Sequence, residues 1–233
     1  MRKGCVSQPC GLQGEPALGR PGGGSASTLG AVQPFIYLAS QSPRRGQLLD
    51  QLGVRHQLLL PGPGEDVESL EDGLPGEAPA RYVVRVTHLK LDAAMLRMKS
   101  RRLPTAPVLC ADTTVAFGRR LYGKPADAGE ARRMLGELSG KTHRVLTAIA
   151  CQRGRRRLDA LSISQVTFAP LTAAQIDRYV GGGEPMGKAG AYAVQGAAAA
   201  FIARIGGSHS GIMGLPLFET AQLLRAFGFA NLK

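Results

Sequence analysis

The chain has no tryptophan, and its aromatic residues stop at seven Phe and five Tyr. That leaves little material for the stacked aromatic platforms that hold single-stranded nucleic acid. Its four cysteines, Cys5, Cys10, Cys110 and Cys151, contain no C-x-x-C pair. Its histidines are dispersed at positions 56, 88, 143 and 209, so no zinc pattern appears. Cys110 and Cys151 read as small buried hydrophobes. No apolar run approaches the ~18 residues of a membrane span. Arg2 and Lys3 have no apolar stretch behind them, so a secretory signal is not expected and a cytoplasmic, reducing setting is.

What the chain has in excess is positive charge, a formal +12 over 233 residues. Such a balance favours anionic partners, nucleotides and nucleic acids alike. The basic residues come in small groups (97–102, 119–120 and 153–157) rather than in one arm. A small anion is therefore the favoured ligand, with no nucleic acid and no membrane expected as partners.

Residues 1–34 are rich in Gly, Pro, Ser and Ala and carry no periodic apolar face, so they read as a disordered tail before a domain over residues 35–233. This raises the expectation that the true start lies further downstream. From Phe35 the pattern changes. Phe35 to Ala39 reads as a buried strand, and Ser42-Pro43 as the cap and first residue of a helix running to about Leu52. Arg44 and Arg45 then fall in the first helical turn, where the helix dipole disfavours cations. They are either solvated surface residues or the partners of an anion bound at the helix start.

A short strand near 56–60 leads into an acidic, Pro/Gly-rich loop from Pro61 to Pro79, most of it expected to be solvated. Glu65 and Asp66, nearest the strand end, are the members that could reach a site. Residues 80–98 read as an amphipathic helix with Lys90 on its apolar stripe. Lys90 can snorkel to the core edge or reach a phosphate. The stretch Leu109 to Phe117 is apolar and rich in β-branched residues, a strand closed by a turn at Gly118. Asp112 lies in its middle. It is either a structural carboxylate bonded to backbone N–H groups or a base and metal ligand at a sheet end.

Beyond it come a helix from about 126 to 138, a long hairpin of strands near 145–151 and 158–168, and a short helix capped by Thr172 with Gln175. Gly182 to Ala189 nearly spells a phosphate-binding P-loop. Ala189 stands where Ser or Thr must hold Mg²⁺, and a helix precedes the segment, so that reading fails. A strand over 201–205 and a helix over 217–227 complete an α/β or α+β mixed fold. Two arginines at a helix start, Lys90, Lys124, and carboxylates at Glu65 and Asp112 together suit metal-assisted attack on a polyphosphate.

Six motifs in order carry a further signal: Leu-Ala-Ser40-Gln-Ser42-Pro-Arg44-Arg45, Ala-Asp112-Thr113-Thr-Val, Gly-Lys124-Pro125, Leu-Ser-Gly-Lys-Thr142-His143, Glu184-Pro185-Met-Gly-Lys188-Ala-Gly-Ala-Tyr-Ala-Val-Gln195-Gly196, and Gly214-Leu-Pro-Leu. Across about residues 36–227 this order resembles the Maf family of nucleoside triphosphate pyrophosphatases. The resemblance implies a Maf/inosine-triphosphatase-like domain, a mixed twisted sheet flanked by helices. It implies hydrolysis between the α- and β-phosphates with Mg²⁺ or Mn²⁺, by a homodimer. By the same resemblance Asp112 is the proton acceptor and shares the metal with Glu65. Ser40, Arg44, Arg45, Lys90 and Lys124 hold the triphosphate, and Thr113 and Gln195 face the base. The motifs match the branch acting on dTTP, UTP and related modified pyrimidine nucleotides. The other branch prefers 7-methyl-GTP and carries a Trp that this chain lacks, the aromatic face that would hold a cationic base. One position departs: Gly187 stands where the family carries Asp, which bears on rate more than on reaction class. The alternative reading is a low-turnover nucleotide-binding regulator linked to septum formation.

Overall fold

The computed structural model describes residues 34–67, 69–230 and 232–233. The expectations for residues 1–33, including the tail and a downstream start, lie outside the described residues. Strand β1 (Ile36–Leu38) feeds helix α1 (Pro43–Gln51), which leads to β2 (His56–Leu58). Helix α2 (Pro79–Ser100) crosses to the long strand β3 (Val108–Phe117), which turns at Gly118 into β4 (Arg120–Tyr122). Helix α3 (Ala128–Leu138) precedes the hairpin of β5 (Thr142–Arg153) and β6 (Arg156–Phe168). Helix α4 (Ala173–Gly181), strand β7 (Ile202–Gly206), and helices α5 (His209–Met213) and α6 (Leu217–Ala226) follow.

Seven strands among the described residues form one mixed sheet in the order β2-β1-β3-β5-β6-β7, with β4 also on β3. β1 runs parallel to both β2 and β3, while the other pairings are antiparallel. This is the mixed α/β domain, a mixed sheet flanked by helices, that the alternation of elements predicts. Among the described residues no helix is long and apolar enough to cross a membrane.

Strand alternation divides the core into two layers. Leu109, Ala111, Ile149 and Cys151 point to the side covered by α1 and α6, joined by Leu48, Leu49 and Leu224. Val108, Cys110 and Ala150 point to the other side and pack on Leu91 and Ala94 of α2. Further along the sheet Val115 and Val145 meet Leu135 of α3 and Tyr179 and Val180 of α4. Both strand cysteines are free and buried, as expected, and burial pushes each thiol up to about 12.

The capping expectations divide. Thr172 accepts from Gln175 N–H while the Gln175 side chain accepts from Thr172 N–H, a complete capping box. Ser42 does sit at the N-cap of α1, but its side chain makes no capping bond. Its own N–H donates to Ser40 Oγ at 3.2 Å instead. The hydroxyl that organises the entry to this helix is therefore two residues earlier than the cap.

One feature of the topology opens the sheet. β3 pairs with β1 only at Val108 and Leu109 and with β4 only from Val115 onward. Residues 110–114 thus face β5 on one edge and, among the described residues, have no strand on the other. A cleft lies at that edge, where the chain leaves β1 for α1, the kind of strand-end crevice in which α/β sheets bind ligands.

Candidate active site

The cleft has a volume of about 700 Å³, within the range of nucleotide-sized pockets. Among the described residues six cationic side chains line it, Arg44, Arg45, Lys90, Arg97, Lys124 and Lys188, against two carboxylates, Glu71 and Asp112. Low dielectric walls make such an excess of one sign a strong attractor for anions.

The period of β3 separates the site into two flanks. Asp112 shares its face with Cys110 and so points toward α2, where Lys90 Nζ donates to its Oδ1 at 2.5 Å. The same ammonium donates to Glu71 Oε1 at 2.7 Å. Lys90 therefore does not snorkel to solvent; it joins two carboxylates. Lys124, carried by the turn after β4, reaches both oxygens of Glu71 at 3.3 and 3.2 Å. Burial pushes the Glu71 carboxyl up, but the Lys90 and Lys124 charges outweigh it and hold it below its usual range.

Thr113 points the opposite way. Its hydroxyl pairs with Thr147 at 2.9 Å and accepts from Arg45 Nη2 at 3.4 Å. Arg45 also donates to Gly214 O at 2.8 Å and to Ser40 Oγ at 2.9 Å. Burial pulls the Arg45 pKa down, with Asp112 opposing that shift. Three fixed partners hold this guanidinium at the mouth of α1, which answers how a cation is tolerated in a first helical turn. Arg44, beside it, faces Gln195. With the amide oxygen turned to the guanidinium, Gln195 accepts from Arg44 Nε at 3.3 Å and Nη1 at 3.2 Å. An arginine can only donate, so this orientation leaves the amide NH₂ for other partners.

The wall carrying Gln195 is built by the Glu184 motif. Glu184 accepts from the Tyr179 hydroxyl and from Ala197 N–H, each at 2.9 Å. A Cβ at Gly196 would lie 2.2 Å from Glu184 Oε1, so a side chain here would push the Glu184 carboxylate off these partners. Gly190, at φ +71°, brings the same segment against Val115, where a Cβ would sit 2.8 Å from Cγ2. Residues 182–187 form turns, and a short 3₁₀ helix begins at Ala189, rather than a P-loop. Gly187 lines the cleft at φ +71° with open space where a side chain would project.

Glu65 is not brought to Asp112. Both its oxygens are taken, Oε2 by Arg97 Nε at 2.8 Å and Oε1 by Gly62 N–H at 3.0 Å, and it does not line the cleft. The Arg97 hydrogen bond, with that of Gly62 N–H, holds its pKa down at about 2. Glu71 stands in the position expected of Glu65, because the acidic loop closes a one-turn 3₁₀ helix at Ser69–Glu71 over α2. Arg97, 5 % exposed and two turns along the same face of α2 from Lys90, donates to Leu59 O at 3.0 Å as well. Sequence reasoning singles out neither Glu71 nor Arg97. Glu71 is one of six acidic residues in the loop from Pro61 to Pro79, and it is not among those nearest the strand end. Arg97 is readable in principle, seven residues after Lys90. The other expected residues, Ser40, Arg44, Arg45, Lys90, Asp112, Thr113, Lys124 and Gln195, all line the one cleft.

Whether a divalent metal suits this cleft can be read from its donors. Among the described residues no three His, Cys, Asp or Glu side chains converge, so there is no all-protein cage. Two carboxylates, Asp112 and Glu71, do converge on one cationic centre, the Lys90 ammonium. Oxygen donors from one or two carboxylates, completed by substrate phosphates and water, are what Mg²⁺-type ions take. The donor set fits.

Fold and cleft together define an α/β protein built to receive a polyanion beside paired carboxylates. A family model described as Maf-like protein matches residues 35–227. The chain belongs to the Maf family. It is 69 % identical over 194 residues to a protein of Polaromonas sp. (strain JS666 / ATCC BAA-500) named dTTP/UTP pyrophosphatase, covering 83 % of this chain and 96 % of that one. A protein of the same name from Albidiferax ferrireducens is 66 % identical, covering 85 % of this chain and 99 % of its own. The Burkholderia pseudomallei (strain 1710b) relative, also so named, is 62 % identical, covering 83 % and 93 %. Among solved structures, a nucleoside-triphosphatase / dITP/XTP pyrophosphatase from Mycobacterium abscessus aligns loosely, with TM-score 0.34 and 15 % identity over 58 % of this chain and 75 % of that one.

Proposed function

We propose that this protein hydrolyses dTTP and UTP, and related modified pyrimidine nucleotides, to the monophosphate and pyrophosphate. The observation that carries the reading is Asp112 held by Lys90 beside Glu71, in a cleft with six cationic side chains. High identity over almost the full length of relatives bearing that name supports the substrate class.

In this reading Arg45, fixed by Ser40, Thr113 and Gly214, and Lys124 receive phosphate oxygens. Fixed cations aimed at the charge that develops as the anhydride opens are the largest single source of rate in phosphoryl chemistry. Asp112 accepts one proton of the attacking water. The water oxygen bonds to phosphorus, the α–β anhydride bond breaks, and its electron pair leaves with pyrophosphate. Lys90 keeps the Asp112 carboxylate aimed, and passes to phosphate as the substrate arrives. A Mg²⁺ or Mn²⁺ ion held by Asp112 and Glu71 would supply charge neutralisation at the phosphates and acidify water. Gln195, oriented by Arg44, and Thr113 meet the base. Gly187 removes a carboxylate from the cleft wall, and its cost is expected in rate.

The test is pyrophosphate release across a panel of nucleoside triphosphates with Mg²⁺ or Mn²⁺, beside Asp112→Asn. Turnover of dTTP and UTP that drops by about 10³-fold in the folded variant is the expected result, the scale of a lost general base. Preference for 7-methyl-GTP would overturn the base assignment. Absence of any turnover would favour a nucleotide-binding regulator.

A further inference from the structure

Glu71 occupies the positions on two lysines that a phosphate would take. Lys90 Nζ lies 2.7 Å from its Oε1, and Lys124 Nζ 3.2 Å from its Oε2. Its backbone is tied down independently of its side chain. The Tyr82 hydroxyl donates to Glu71 O at 2.8 Å, and Arg85 donates to Asp72 O at 2.8 Å. Further along, Arg85 clamps Glu77 through Nε at 2.8 Å and Nη2 at 2.7 Å. The segment is thus strapped to α2, while among the described residues the Glu71 carboxylate has only the two ammonium groups as hydrogen-bond partners. Its side chain is held there by charge.

We propose that Glu71 makes the cleft select metal-complexed polyphosphate over the metal-free polyanion. A bare polyphosphate must take Lys90 and Lys124 away from Glu71 and then lie beside an ionised carboxylate, a like-charge contact in a partly desolvated cleft. A polyphosphate that carries a divalent cation brings a positive centre for which Glu71 and Asp112 are oxygen donors. The carboxylate then exchanges one cation for another, and the lysines are released to phosphate. Glu71 is in this sense a specificity determinant for the charge state of the ligand, acting in binding rather than in the chemical step. The inference rests on the polyphosphate reading of the cleft but not on turnover.

Calorimetric titration of inorganic tripolyphosphate into the full chain, with chelator and then with Mg²⁺, separates the cases. Glu71→Gln keeps the shape and removes the charge. With chelator present, Glu71→Gln is expected to bind tripolyphosphate about 10- to 100-fold more tightly than the unaltered protein, the scale of hydrogen bonds to charged groups. With Mg²⁺ that advantage disappears or reverses. Adding Lys124→Gln to Glu71→Gln should remove part of the gain, since Lys124 is one of the two lysines that Glu71 occupies. Equal or weaker metal-free binding by Glu71→Gln overturns the proposal, as does a gain that persists undiminished with Mg²⁺. Either outcome leaves the pyrophosphatase reading to its own turnover assay. Circular dichroism of each variant establishes that a folded protein is being titrated.

Discussion

The ion pairs of the cleft and those along α3 use the same chemical groups in different surroundings. On α3, Arg133 bonds Glu130 at 2.8 Å and Glu137 at 3.1 Å, with its side chain 44 % exposed. Arg132 reaches Asp177 on α4 with both partners about half exposed or more. In the cleft, Lys90 and Asp112 are 19 % and 11 % exposed, and one ammonium serves two carboxylates. Water and salt screen the first set, so each pair contributes little to stability. The second set is held by charges that cannot be exchanged for water without leaving a part-buried charge uncompensated. Distances alone do not tell these networks apart. Burial and convergence do.

The sharpest way to break the comparison is Lys90→Met. The variant retains much of the stem and leaves Asp112 and Glu71 facing each other without their shared cation. Without that ammonium neither carboxylate is held toward the other, which removes the aimed base and the paired metal ligands. Turnover should fall on the order of 10²-fold or more, with a cooperative melt retained. Wild-type turnover in Lys90→Met would place the chemistry elsewhere.

Glu65 lies between the two regimes, paired to buried Arg97 yet outside the cleft lining. Its pKa is held down at about 2 in the fold, against an unfolded value near 4.5. A lowered carboxylate pKa contributes stability that is complete above the unfolded value and is lost as pH falls through the folded one. The gap in Tm between the protein and Glu65→Gln should therefore be present at neutral pH and shrink as pH falls from 4.5 toward 2. A gap independent of pH would deny the ion pair its role. A turnover loss as deep as that of Asp112→Asn would instead return Glu65 to the metal.

Arg133→Gln marks the small end. Its two carboxylate partners stay solvated, so the denaturant midpoint should scarcely move. Denaturant titration checks this, and a clear drop in the midpoint would mean that the α3 network is not a screened surface one.

Much of the fold is legible in local sequence. The strand at 109–117, the amphipathic α2, the Thr172 capping box and the mixed α/β class all follow from local periodicity and capping chemistry, which act over a few residues. Ser40, Arg44, Arg45, Asp112, Thr113, Lys124 and Gln195 are legible as motifs in order, and they line one cleft. What local pattern does not supply is the choice of Glu71 over Glu65. Both belong to one acidic loop without periodicity, and their roles depend on where α2 places Arg97 and Lys90, the first holding Glu65 and the second joining Glu71 to Asp112.

By itself, then, the sequence determined the elements, the excess of positive charge and the family. Hydrophobic period, turn residues and ordered motifs are properties of neighbours along the chain. The tertiary structure alone decided that β3 loses a partner over residues 110–114 and so opens the sheet. It also decided that Lys90 joins Asp112 to Glu71. These contacts span 19 and 22 residues, and their pairing is set by the packing of a helix on a sheet face, to which no local pattern corresponds.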